Sequence, residues 1–117
     1  MLHIATGLGV SGGKARGRVR IITDIEEHGK FEENDILVTH MTDPSMVMLM
    51  NKAKAILCNI GGLTSHPSIL SREMGIPCVV SVKGVHTGKN ITEIVKDGQE
   101  ILVDGDEGTI HLVGESE

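Results

Sequence analysis

The chain has almost no aromatic side chains: one Phe, no Trp and no Tyr among 117 residues. Its core must therefore be assembled from Ile, Val, Leu, Ala and Met, and there is no platform on which bases or sugars stack. It also lacks an excess of positive charge. A formal net charge of −5 argues against nucleic acid as a partner. Cysteine is scarce: Cys58 and Cys78 both lie in apolar runs, outside any CxxC or Cys/His cluster, and read as reduced core thiols. No apolar run approaches the ~20 residues needed to span a bilayer, and no signal-peptide core is present, so a cytoplasmic protein without a membrane partner is expected. His3, His28, His40, His86 and His111 are scattered without metal-ligand spacing, so no metal site is expected.

What is present is a dense punctuation of glycine between short apolar runs, with no linker dividing residues 1–117; a single domain is expected. Residues 10–14 read as a turn, Gly17 to Thr23 as a strand, and residues 24–34 as a polar loop with one helical turn. Asp35 to Thr39 and Ala55 to Asn59 read as buried strands. Between them, Asp43 as N-cap and Pro44 at the first helical position open a helix whose apolar face includes Met46, Leu49 and Met50. The methionines are read as core filling. A helix is predicted from Pro67 to Met74, stopped by Gly75 in the left-handed conformation, then a strand from Cys78 to Val82. That strand–helix–strand run is a parallel βαβ unit. A short helix over Asn90 to Lys96 and a hairpin pairing Glu100–Val103 with Thr109–Val113 complete an α/β fold with a mixed sheet. Asp104, Asp106 and Glu107 fit the hairpin turn better than a calcium loop, and Lys14, Arg16, Arg18 and Arg20 read as solvated strand residues.

The stretch Gly61-Gly62-Leu63-Thr64-Ser65-His66 places a histidine where a strand ends, a diglycine loop bends and a helix begins. Unpaired amides and the positive end of the helix macrodipole suit a phosphate there. A model imidazole titrates near ~6.5, so a large neutral fraction is available at pH 7 to act as a nucleophile toward phosphorus. Gly61 and Gly62 let backbone approach closely, Thr64 and Ser65 offer hydroxyl donors or a cap, and Arg72 lies six residues beyond His66, where its reach depends on chain geometry. His40, after a strand end, is a further candidate to approach the site.

Gly61 to Arg72, continuing through Gly75-Ile76-Pro77 into a Val-rich run, resembles the phosphohistidine site of the PEP-utilising enzymes, a family that includes phosphoenolpyruvate synthase, pyruvate phosphate dikinase, the PTS enzyme I and rifampicin phosphotransferase. The resemblance extends to Gly9–Val19, to Asp35–Pro44 with its DILV and TDP segments, and to Asp97–Thr109. Pro67 departs from the family pattern, where a small residue is usual. The resemblance implies a phosphohistidine swivelling-domain type β/β/α fold, with His66 accepting and donating the phosphoryl group at a helix N-terminus. Gly61, Gly62, Thr64, Ser65 and Arg72 would support the phosphate, and Thr64 matches a position that is a regulatory phosphorylation target in plant dikinases. It also implies partners: a nucleotide-binding, ATP-grasp-like unit and a PEP/pyruvate-binding unit, with Mg²⁺ at their active sites and no cofactor on this domain. No nucleotide loop and no carboxylate set for Mg²⁺ occur in the chain, so it is expected to be inactive alone. The contrasting readings are a non-catalytic binding or regulatory module on the same fold, and a structural swivel domain of a hydro-lyase-like complex.

Overall fold

A computed structural model of the protein describes residues 1–114; the last three residues of the acidic tail lie outside the described residues. Seven strands are formed: β1 (Leu2–Ser11), β2 (Lys14–Ile21), β3 (Ile36–Thr39), β4 (Ala55–Cys58), β5 (Cys78–Gly84), β6 (Glu100–Asp104) and β7 (Thr109–Leu112). They pair in the order β1-β5-β4-β3-β2-β6-β7 and close into a barrel. The β2–β3, β3–β4 and β4–β5 pairs are parallel, and the other four are antiparallel. The mixed α/β sheet and the parallel βαβ unit are thus as the sequence predicts. Closure of the sheet is not.

The strand that makes closure possible, β1, escapes the sequence reading altogether. LHIATGLGVS is glycine-rich and only weakly alternating, so its pattern resembles a loop. The glycines are there because other backbones pass close by. A Cβ on Gly9 would lie 2.2 Å from the Gly105 carbonyl oxygen, in the β6–β7 turn. By pairing with β5 on one side and β7 on the other, β1 leaves no sheet edge to protect.

Other boundaries move by one to three residues. Strands continue to Ser11 and resume at Lys14, so the predicted turn over 10–14 shrinks to Gly12-Gly13, and β2 begins earlier than Gly17. Residues 25–30 form a 3₁₀ helix capped by Asp24 and Glu27. The helix opened by Asp43 starts as a 3₁₀ turn, Pro44–Met46, and becomes α1 (Val47–Lys52). Helix α2 (His66–Met74) begins one residue before the predicted Pro67, which therefore sits at the second helical position. Either of the first two positions suits proline, since the amide it removes has no partner in the first turn. Helix α3 is short (Ile91–Ile94), with Asn90 as cap.

Along β3, β4 and β5 successive side chains enter two different cores, because strand side chains alternate between faces. Ile36, Val38, Ala55, Leu57, Val79 and Val82 fill the barrel with Ile101, Val103 and Ile110. Leu37, Ile56, Cys58, Cys78 and Val80 face outward, against Met46, Leu49 and Met50 of the helical layer. Met46 and Met50 thus fill core space as predicted, whereas Met48 is exposed. Both cysteines are buried and free, and burial pushes the Cys78 thiol up to about 12 and raises Cys58 in the same direction. Of the basic residues of β2, Arg16 pairs with Glu100 at 2.6 Å and Arg20 with Asp35 at 2.8 Å.

Candidate functional site

The site is assembled at the carboxyl ends of the parallel strands. After Thr39, β3 runs into His40, Met41 and Thr42, the last of which is buried just ahead of the Asp43 cap. The loop 60–65 follows β4 and delivers His66 as the first residue of α2, half-buried. Loops leaving the carboxyl ends of adjacent parallel strands are a recurrent place for ligand sites.

The rim is held by Asn59, which is buried at the end of β4. Its side-chain amide donates to Thr92 Oγ1 at 2.9 Å and lies 3.3 Å from His40 Nδ1, and its carbonyl accepts from the Thr92 amide at 3.2 Å. His40 therefore belongs to the same rim, engaged through one ring nitrogen.

Thr42 is the residue that sequence reasoning missed. Its Oγ1 lies 2.7 Å from Nδ1 of His66. The signal was available only indirectly, in the position of Thr42 at a strand end before an Asp-Pro helix start; the contact itself spans 24 residues. Beside it, Asp43 accepts from both the hydroxyl and the amide of Ser45. Those bonds hold its carboxyl below the usual carboxylate range, and the fields of His28 and His66 act in the same direction.

Each loop residue has its own conformation and partners. Gly61 has φ of +141°, which side chains rarely adopt, and a Cβ there would also meet Ser65 Oγ and Val80 Cβ at 3.0 Å. Ser65 is the N-cap of α2 but makes no side-chain capping bond; its hydroxyl donates instead to the Gly62 carbonyl at 2.9 Å. Arg72 donates from Nε to the Val10 carbonyl and from Nη2 to the Leu63 carbonyl, both at 2.7 Å. Thr64 is exposed, and its hydroxyl makes no hydrogen bond among the described residues. Pro67 contributes no amide, so the first turn of α2 presents those of His66 and Ser68.

Chemically, the arrangement is a half-buried imidazole with Nδ1 engaged and Nε2 without a protein partner among the described residues, set at the positive end of a nine-residue helix. Among the described residues, no group of three or more His, Cys, Asp or Glu side chains is placed to hold a metal ion. Among the described residues, no helix is long and apolar enough to cross a membrane.

Comparison with known proteins places this chain in a family. Residues 31–108 match the family described as "PEP-utilising enzyme, mobile domain". The chain is 47% identical over 108 residues to a probable phosphoenolpyruvate synthase of Methanothermobacter thermautotrophicus, covering 92% of this chain and 15% of that protein. It is also 47% identical over 108 residues to the phosphoenolpyruvate synthase of Pyrococcus furiosus, covering 92% of this chain and 12% of the relative. The chain thus spans only a small part of the length of these relatives. Among solved structures, aconitase X of Thermococcus kodakaraensis in its holo-form superimposes with a TM-score of 0.66 at 18% identity, over 94% of this chain and 98% of that one; this likeness shows the fold alone. The match spans the strand end that bears Thr42, the loop 60–65 and the whole of α2, and on it the chain belongs to the mobile-domain family of the PEP-utilising enzymes.

Proposed function

We propose that this chain is a phosphoryl carrier: Nε2 of His66 takes a phosphoryl group from one partner and passes it to another. The observation that carries the reading is the 2.7 Å contact between Thr42 Oγ1 and His66 Nδ1. When Nδ1 keeps its proton and donates it to Thr42, the lone pair of a neutral imidazole is confined to Nε2, the nitrogen left open. In the transfer step that lone pair forms the N–P bond while the bond from phosphorus to the donor oxygen breaks, its electron pair leaving with that oxygen. The proton stays on Nδ1, hydrogen-bonded to Thr42 Oγ1, so the phosphorylated ring is cationic, which makes it a good leaving group for the next acceptor. The enzyme's contribution is positional and electrostatic.

By family likeness, the partners are a nucleotide-binding, ATP-grasp-like unit and a PEP/pyruvate-binding unit, whether on the same chain or separate. The exposure of Leu63 and Ile69 beside His66 supports a site that closes against another protein surface. Mg²⁺ is assigned to those partners, where the donor phosphates lie, and none to this domain.

The test is transfer in both directions. The chain is incubated with Mg²⁺ and either ATP or PEP in lysate of its source organism, and intact mass and ³¹P NMR are recorded. One acid-labile, base-stable phosphoryl adduct, absent in His66→Ala, is the expected result. A lysate with active partner enzymes that leaves the chain unmodified would contradict the carrier reading.

A further inference from the structure

The peptide carbonyls of the loop before His66 are held in succession by side chains. Ser81 Oγ donates to Gly61 O at 2.8 Å, the Ser65 and Ser68 hydroxyls donate to Gly62 O, and Arg72 Nη2 donates to Leu63 O at 2.7 Å. In a trans peptide the carbonyl of one residue and the amide of the next point in opposite directions. Tying back the Gly62 and Leu63 carbonyls therefore turns the amides of Leu63 and Thr64 outward. Among the described residues neither amide has a hydrogen-bond partner, and both residues are exposed. Two adjacent unpartnered amides next to a helix N-terminus are donors available to an anion.

One of the anchors is unusual. Ser81 has φ of +53°, a left-handed conformation that strains a residue with a side chain. It sits at a bulge in β5. The partner register steps from Leu8↔Val80 to Thr6↔Lys83, and the inward phase changes from Val79 to Val82 across it. Glycine would occupy such a position without strain. Ser81 is exposed and packs into neither core, so its side chain adds no buried apolar area. Its hydroxyl bond to Gly61 O is the contact that distinguishes it from glycine.

We propose that Ser81 is a positioning residue for phosphoryl transfer: it holds the Gly61–Gly62 peptide, whose amide donates to Ser65 Oγ at 3.3 Å, and so fixes the start of the loop in which the Leu63 and Thr64 amides are preorganised to receive the phosphoryl oxygens on His66. This rests on the carrier reading, with Ser68 and Arg72 acting in the same way on the next two carbonyls.

The experiment uses phosphoramidate as the phosphoryl donor, so that no partner protein is needed: Nε2 of His66 forms the N–P bond as the bond from phosphorus to ammonia breaks and ammonia leaves. The rate of adduct formation and its hydrolytic lifetime are measured for the wild type, Ser81→Gly and Ser81→Ala, alongside thermal stability and the amide NMR signals of Leu63 and Thr64. Losing one neutral hydrogen bond to the loop predicts ~3–10-fold slower phosphorylation in both variants. Stability should separate them, with Ser81→Gly relieved of strain and the more stable of the two. The Leu63 and Thr64 amide shifts on phosphorylation should shrink in both. A merely structural role would make the rate follow stability. A Ser81→Gly variant that is phosphorylated at the wild-type rate with unchanged amide shifts would overturn the proposal. A wild type that forms no adduct on His66 would overturn the carrier reading itself, and this inference with it.

Discussion

At the scale of single residues, the proposed phosphoryl transfer turns on the pair Thr42 and His66. Replacing Thr42 with Ala removes the partner of Nδ1, so both tautomers of the ring become accessible and its orientation relaxes. Phosphorylation of His66 should slow about tenfold, equivalent to ~1.4 kcal/mol of transition-state stabilisation. Thr42→Ser keeps the oxygen and should retain most of the rate; an Ala variant that matches the wild type would remove Thr42 from the mechanism. His66 and the diglycine before it were legible because histidine, glycine pair and helix start are adjacent in the sequence. Thr42 was not, since its contact depends on two strands lying parallel. Nor was Ser81, because nothing in a Cys-Val-Val-Ser-Val run marks its serine as left-handed or as the donor to Gly61.

At the scale of elements, the buried strands β3, β4 and β5 were readable because burial on both faces leaves near-continuous apolar runs. Gly75, with φ of +72°, ends α2 where the sequence places it. The strand β1 was hidden by the glycines that its close approaches demand. Its pairing with β7 also creates a pH-sensitive seam. His3 and His111 face one another in register, their rings stacked with centroids 4.9 Å apart, and Nδ1 of His111 is buried without a hydrogen-bond partner among the described residues. Burial first, then the charges of His3 and the N-terminus, lower the His111 pKa below its ordinary 6.5. Below that value the unfolded chain binds a proton that the folded chain resists, so this contribution to stability is present above pH 6.5 and is lost as pH falls from there through the lower pKa of the folded state. Denaturant midpoints measured on either side of that pH should therefore drop on the acid side, and His111→Gln should flatten the drop. An unchanged pH profile in the variant would show that the seam does not titrate with folding.

At the scale of the whole molecule, the barrel closes without a free sheet edge among the described residues, and the residues of the proposed site gather at one rim, where Thr42, the loop 60–65 and the start of α2 converge. The central claim is that this rim presents Nε2 of His66 to phosphorus while Thr42 keeps Nδ1. The most direct test is ¹⁵N–³¹P NMR of the phosphorylated chain labelled at its histidine rings. A phosphorus coupling confined to Nε2 of His66, with the Nδ1 proton retained, is the predicted result. A coupling to Nδ1, or phosphate found on any of the other histidines in place of His66, would contradict it.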